Sequence, residues 1–365
     1  MHYRYVLFII FFYGFTFYRL TIQAQKNINA SLYGSAYTQQ TLFDDDDILH
    51  LTLTGKLKDL FNDRGSDMLY HPLLLQYLQR DSSLVSIQLT AKTRGHFRRD
   101  KINCKMPPLL LNFQNKKRLQ NTVFANQNKL KLVVPCQGDD YIINEWLVYR
   151  LYNLISEKSF KARLVLVDFE DSLKRRKTET HYCILLEDDK RMAGRNQSFL
   201  WKETMLDMKN MARTEFEKMA VFQYMVGNTD WGIPYLQNIV LIKNDTLQAP
   251  IAVPYDFDHA GIVEAPYAGP APELEIASDL ERLYRGFCET DMKNFAEIFA
   301  LFNQLKDNIY KVYTECPLLS SYYIKFATRY LDDFYKTINS QKAIQSEFGK
   351  PCRTKIHVEI KPLKK

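Results

Sequence analysis

Hydrophobic and polar positions change rhythm twice along the chain. Between residues 49 and 135 the period is two: Leu51 and Leu53 alternate with Thr52 and Thr54, and Val85, Ile87, Leu89 and Ala91 alternate with Ser86, Gln88 and Thr90. Such spacing predicts half-buried strands. Pro108–Phe113 is a short apolar run of the kind a fully buried strand uses. Lys129–Val134 is a further strand with Leu130, Leu132 and Val134 on one face, so Lys131 points away from the leucines. A helix is predicted from about Tyr141 to Ile155, capped by Asp139 and Asp140, with an apolar stripe of Ile143, Trp146, Leu147, Leu151 and Leu154. Strands at Ala162–Asp168 and Tyr182–Leu186 follow, joined by a basic loop at Lys174–Lys177 that reads as solvated.

Beyond Glu187 the period becomes helical. Phe216, Met219, Ala220, Gln223 and Val226 lie on one face of a segment that stops at Gly227. The exception is a hairpin, Asn238–Lys243 with Pro250–Tyr255, turned at Asn244-Asp245-Thr246. Helices are expected again from about Ala277, including amphipathic stretches at Phe295–Tyr313 and Tyr322–Ile338. The pattern therefore predicts an α+β protein with a strand-rich half at 49–187, a helical half at 188–345, and a ligand cleft between two lobes. A polar segment at 25–48 precedes them and a basic tail at 346–365 follows.

Composition narrows this picture. The 365 residues are 46% hydrophobic and 25% charged, which suits a folded globular chain and not a disordered one. The net charge of +7 is spread over 49 basic and 42 acidic residues, and no nucleic-acid motif accompanies it, so no nucleic-acid partner is expected. Arg4 followed by the apolar run Val6–Tyr18 and by Ala24 has the layout of a signal peptide at residues 1–24. That run is shorter than the roughly 20 residues needed to span a bilayer. An exported chain, periplasmic or extracellular, with no stable membrane span after cleavage is expected.

The six cysteines form no Cys-x-x-Cys pair, which argues against a zinc site. Cys104 and Cys136 flank two predicted strands whose connection would set them side by side, so the sulfurs can pair in an oxidising compartment. Two buried free thiols are the alternative.

The sharpest constellation is Gly227-Asn228-Thr229-Asp230-Trp231, then Asn238, then Pro254-Tyr255-Asp256-Phe257-Asp258-His259-Ala260-Gly261. If the hairpin is symmetric about position 247, Asn238 and Asp256 face each other at its open end, with Asp230 on the loop leading in. One carboxylate that orients a hydroxyl, with an amide and a second carboxylate as oxygen ligands for magnesium, is the set that phosphoryl transfer needs. The same residues read more plainly as turn and cap residues, with Trp231 and Tyr255 in the core.

This order of parts resembles the spore-coat CotH kinase-like proteins and, more distantly, HipA-type kinases. The resemblance covers roughly residues 85–265 and implies a two-lobed protein-kinase-like fold that binds ATP and magnesium. It makes Asp230 the catalytic-loop Asp, Asn238 and Asp256 the metal ligands, and Asp258 and His259 reserves. Arg94-Gly95-His96-Phe97-Arg98 is similar to the segment that covers the nucleotide, which brings in Arg94. Lys131 then looks like the phosphate-contacting strand Lys and Glu145 like its ion-pair partner, with Lys105 as the rival. Tyr182–Glu187 would be the strand and hinge beside an adenine, so Glu187 joins the cofactor-binding set. A surface Lys131 and a solvated Glu145 are the plainer alternative.

Asp230 and Asn238 stand eight residues apart, where the kinase fold has five, and no Gly-x-Gly-x-x-Gly loop is present. Three functions are compatible with these residues. The first is phosphoryl transfer to a protein or small-molecule hydroxyl; the second is a non-catalytic pseudokinase acting as a binding or envelope-assembly module. The third is a metal-dependent phosphatase or glycosyltransferase using Asp256-x-Asp258.

Overall fold

Period-two patterning turns one face of each N-terminal strand into a common interior. The computed structural model describes residues 41–353 except Glu275, so the expected signal peptide and the end of the basic tail lie outside the described residues. Strands β1 (Leu49–Gly55), β2 (His71–Leu78), β3 (Leu84–Thr93), β4 (Leu109–Asn112), β5 (Lys129–Val133), β6 (Ala162–Asp171) and β7 (Glu179–Leu186) bond in the order β1-β2-β3-β4-β5-β7-β6. A parallel pairing of β1 with β6, Leu51 beside Val167 and Leu53 beside Phe169, closes the circuit. The strand-rich half is therefore a closed barrel without a free edge. Its interior holds Leu53, Leu75, Leu111, Leu132 and Leu185, and α1 (Leu57–Asn62) adds Leu57, Leu60 and Phe61 to the same cluster.

The basic loop at Lys174–Lys177 is largely exposed as expected, and its two arginines also reach that helix and the end of β6. Arg175 donates to Asp59 at 2.8 Å and to Asp171 at 3.4 Å, and Arg176 lies over the Phe61 ring at 4.8 Å. Backbone and arginine hydrogen bonds hold the Asp171 carboxyl down at about 2 against the opposing effect of burial.

Strands β5 and β7 divide two cores. Leu130, Leu132, Cys183 and Leu185 face the barrel interior, whereas Val133, Ile184 and Leu186 face a second cluster built with the helices. Helix α2 (Asp139–Ile155) runs through that second cluster. It differs from the expected amphipathic helix in two ways. Leu154 is exposed while Ile142, Val148, Tyr149 and Tyr152 are buried, so the helix is enclosed on most sides. Asp139 does not cap it: its carboxylate takes His181 at 2.8 Å and the Tyr182 amide at 3.0 Å, tying the helix start to β7.

The rest is α3 (Asp189–Arg195), β8 (Phe199–Trp201), α4 (Arg213–Val226), β9 (Ile239–Lys243), β10 (Ile251–Pro254), α5 (Ala296–Gln304), α6 (Lys306–Thr314), α7 (Ser321–Ile338), α8 (Gln341–Glu347) and α9 (Lys350–Arg353). The three short strands form one sheet in the order β10-β9-β8. Two helical expectations need correction. No α-helix starts at Ala277; arginines tie that stretch to the end of α4 and the turn after it, Arg282 donating to the Met225 carbonyl at 3.2 Å and Arg285 to that of Thr229 at 2.6 Å. The amphipathic stretch from Phe295 breaks at Leu305 into α5 and α6.

Two disulfides staple the chain. Cys104–Cys136 forms as the strand spacing suggested, because β4 and β5 are antiparallel neighbours with Leu109 opposite Leu132. Cys288–Cys352 joins the loop after Arg285 to α9, where Phe348 is buried against Tyr284, Phe295 and Phe299. Among the described residues, no helix is long and apolar enough to cross a membrane.

Candidate functional site

Helix α4 ends at Gly227, whose φ of 67° is left-handed and where a Cβ would collide with the Tyr330 hydroxyl. The turn after it is shaped by Asn228. Its Nδ2 donates to Gln223 Oε1 at 3.0 Å, and its Oδ1 accepts the Asp230 amide at 3.0 Å, which aims the Asp230 side chain. Gly232 and Gln237 then exchange backbone hydrogen bonds of 3.0 and 2.9 Å. The long excursion thus folds back on itself and returns Asn238 to Asp230 despite the eight-residue spacing. Asn238 Nδ2 donates to the Asp230 carboxylate at 2.9 Å and to its carbonyl at 2.7 Å, and Gln237 Nε2 donates to the other carboxylate oxygen. Asn238 Oδ1 accepts nothing among the described residues.

The hairpin pairs Ile239 with Pro254 and Val240 with Val253, one position away from the symmetry expected. Asn238 therefore faces Tyr255, whose amide donates to the Asn238 carbonyl at 3.0 Å, and not Asp256. Asp256 leaves the strand with a φ of 62°, as Asn238 enters it with 51°. Helix α2 anchors that corner, since the Asp256 amide donates to the Tyr149 hydroxyl at 2.9 Å and Asn144 Nδ2 to the Val263 carbonyl at 3.1 Å.

Arg98 stands at the centre. Its Nε donates to Asp258 Oδ2 at 2.7 Å, and its Nη2 to Glu145 Oε2 at 2.7 Å and Asp256 Oδ1 at 3.4 Å. The expected Lys131–Glu145 pair does not form. Lys131 donates to Asp189 at 2.7 Å and lies 4.5 Å from the Tyr255 ring centre, because β5 turns it toward the start of α3, while Arg98 takes Glu145. The solvated alternative fails too, since Glu145 is 1% exposed. Glu187 is buried in a structural tie, accepting the Lys161 amide at 3.0 Å and Arg195 Nη2 at 3.0 Å. Lys105 is exposed, and its carbonyl accepts from Arg64. The Arg94 guanidinium donates to no group among the described residues, yet it acts electrostatically on both Lys131 and Asp256.

Charge is concentrated here. Burial, more than the adjoining Asp256 and Asp258, pushes the Glu145 carboxyl up to about 7 against the pull of Arg98. Burial also raises Asp230 and Asp256. Asp258 is held below the ordinary range because Arg98 and His259 outweigh its burial. His259 is raised although burial opposes it, through Asp258, Asp230 and Asp256, and its ring packs 5.8 Å from Phe97 and 5.9 Å from Tyr267. Burial lowers Lys131 despite Asp189.

Sequence reasoning thus named Asp230, Asn238, Asp256, Asp258, His259 and Glu145, which adjoin one another, and Arg94, which borders them. It missed Gln237, Tyr149 and the central role of Arg98. Arg98 carried a faint signal, as the second arginine of Arg94-Gly95-His96-Phe97-Arg98, but Gln237 and Tyr149 carried none. Asp258, 7% exposed and spent on Arg98, does not form an outward pair with Asp256, which is 38% exposed. No group of three His, Cys, Asp or Glu among the described residues could hold a metal by itself. A cavity of about 370 Å³ is lined by Asp140, Asn144, Glu264 and Tyr323 and shares no residue with the carboxylates around Arg98.

No protein-family model and no curated protein matches the sequence. The CotH resemblance therefore rests on the residues quoted above. Among solved structures, a Helicobacter pylori proinflammatory kinase, CtkA, is similar at 12% identity and a TM-score of 0.39, over 70% of this chain and 95% of that one.

Proposed function

We propose that this chain is an exported kinase-like protein that uses ATP and magnesium to transfer a phosphoryl group to a hydroxyl of a protein or small molecule. In this reading the barrel takes the place of the strand-rich N-terminal lobe. The observation that carries it is the trio Asp230, Asn238 and Asp256. Asn238 spends its amide hydrogens on Asp230, which leaves its Oδ1 as a ligand, while Asp256 keeps one oxygen without a partner among the described residues.

Those donors are hard oxygens and too few to cage a metal. That suits magnesium, which takes its remaining ligands from phosphate and water and would neutralise phosphate charge when bound. Asp230, fixed by Asn238 and Gln237, would orient the acceptor hydroxyl and take its proton, a role that its raised carboxyl favours. Arg94 would face the phosphates. Two disulfides are compatible with an oxidising compartment.

The test is calorimetry of the purified protein with ATP, with and without MgCl2. Asp256→Ala abolishes the magnesium-dependent part of binding, and unchanged affinity removes Asp256 from the site. Asp230→Asn retains binding and loses turnover by about 10²–10⁴-fold. Turnover equal to the parent's would sink that role.

One observation favours a second reading, a non-catalytic binding or envelope-assembly module. The strand lysine is held by Asp189 and by two aromatic rings, Tyr255 and Phe160, and not by the helix glutamate. Nucleotide binding without any turnover in the parent would select it.

A further inference from the structure

We propose that Arg98 is the positioning residue of this site, the group that aims the Asp256 carboxylate toward the cleft; the proposal rests on the nucleotide-binding reading above. A guanidinium presents its donors in a fixed fork, so it can hold several carboxylates at set angles. Arg98 does so across distant parts of the chain: Asp258 on Nε at 2.7 Å, Glu145 on Nη2 at 2.7 Å, and Asp256 on the same nitrogen at 3.4 Å.

The three carboxylates differ in exposure. Glu145 and Asp258 are 1% and 7% exposed and act as anchors for the arginine, whereas Asp256 is 38% exposed and is the one presented outward. Asp256 is thus the carboxylate of the three that a divalent cation could reach from the exposed side. Without Arg98 the carboxylates would repel one another, and nothing else donates to the Asp256 side chain among the described residues.

The connection carrying Arg98 is itself pinned. Arg64 donates to the carbonyls of Arg99 at 3.1 Å and Cys104 at 2.8 Å. The Cys104–Cys136 disulfide ties the same connection to the residues just ahead of α2, the helix that bears Glu145. The segments that carry the arginine and the glutamate are thus joined twice, by the ion pair and by a nearby disulfide.

The experiment compares the affinity of the full chain for ADP in excess MgCl2 and in EDTA. The parent binds more tightly with magnesium. Arg98→Lys, which keeps the charge but not the fork, loses at least 10-fold of that magnesium advantage, while its affinity in EDTA falls by less than that. The double variant Cys104→Ser, Cys136→Ser keeps every charge and loses about 3-fold of the same advantage. An Arg98→Lys protein with the parent's magnesium advantage overturns the proposal. So does one that binds MgADP more tightly, which would make Arg98 a competitor of the metal. If Arg98→Lys does not fold, the cysteine variant decides, and an unchanged magnesium advantage there overturns it. A parent that binds no ADP in either buffer sinks the nucleotide reading itself, and with it this one.

Discussion

The barrel interior and the cluster around Arg98 both exclude water, and they are held together by opposite means. In the barrel, Leu53, Leu75, Leu111 and Leu132 are fully buried side chains with no polar atom, and the strands satisfy one another's backbone groups. Another apolar side chain of similar volume would serve almost as well. Around Arg98, each buried group is tolerable only because the others are present. Glu145 needs Arg98, Arg98 needs Asp258, and Asp256 is turned by both its backbone bond to Tyr149 and its contact with Arg98. The first region tolerates change by degrees, whereas the second depends on particular partners.

The largest expected effect lies in the second region. Arg98→Met leaves three carboxylates without their cation and should cost about 3–5 kcal/mol in urea unfolding at pH 7.5. The loss should shrink at pH 5, where Glu145 is protonated. A loss below about 1 kcal/mol at pH 7.5 would erase the contrast between the regions. Next comes Leu132→Ala in the barrel, at about 2–4 kcal/mol. It should be the same at both pH values, since no charge is involved; a pH-dependent loss would show that the two regions are coupled.

Glu145→Gln sharpens the comparison further. The Glu145 carboxyl is raised from 4.5 to about 7 in the folded chain, chiefly by burial. A raised acid stabilises the fold fully below its unfolded value, and that contribution disappears as pH rises through the folded value. The parent should therefore lose stability relative to Glu145→Gln between about pH 4.5 and 7, by on the order of 3 kcal/mol, in parallel denaturation series. Parallel curves would mean that Arg98 alone keeps Glu145 ionised throughout. The smallest effect is expected at the surface. Arg80 pairs with Asp45 at 2.7 Å but is 72% exposed, so Arg80→Ala should shift stability by less than about 1 kcal/mol.

Much of the barrel was readable from residue alternation, because a buried face repeats every second residue whatever the strand's neighbour is. The pairing of β4 with β5, and with it the Cys104–Cys136 bond, was one of two alternatives that the sequence left open, and the structure forms it. Closure was not readable. β1 pairs with β6 across more than a hundred residues, and nothing in either strand's pattern names the other. The hairpin of β9 and β10 was readable too, yet its register lies one position from the symmetric guess. Such a slip places Tyr255, not Asp256, opposite Asn238.

At the site the division is sharper. Which residue types gather in the Gly227–Trp231 and Pro254–Gly261 segments was legible along the chain, since both segments are short and flank the hairpin of β9 and β10. Equally legible was that Lys131 leaves the barrel interior, because Leu130 and Leu132 occupy it. Only the tertiary structure decided which cation meets Glu145. Arg94, Arg98, Lys105 and Lys131 all carry the charge, and Coulomb attraction has no address along the chain. The choice fell to Arg98 because a stapled connection delivers it to α2, while the pleat of β5 carries Lys131 to Asp189 instead.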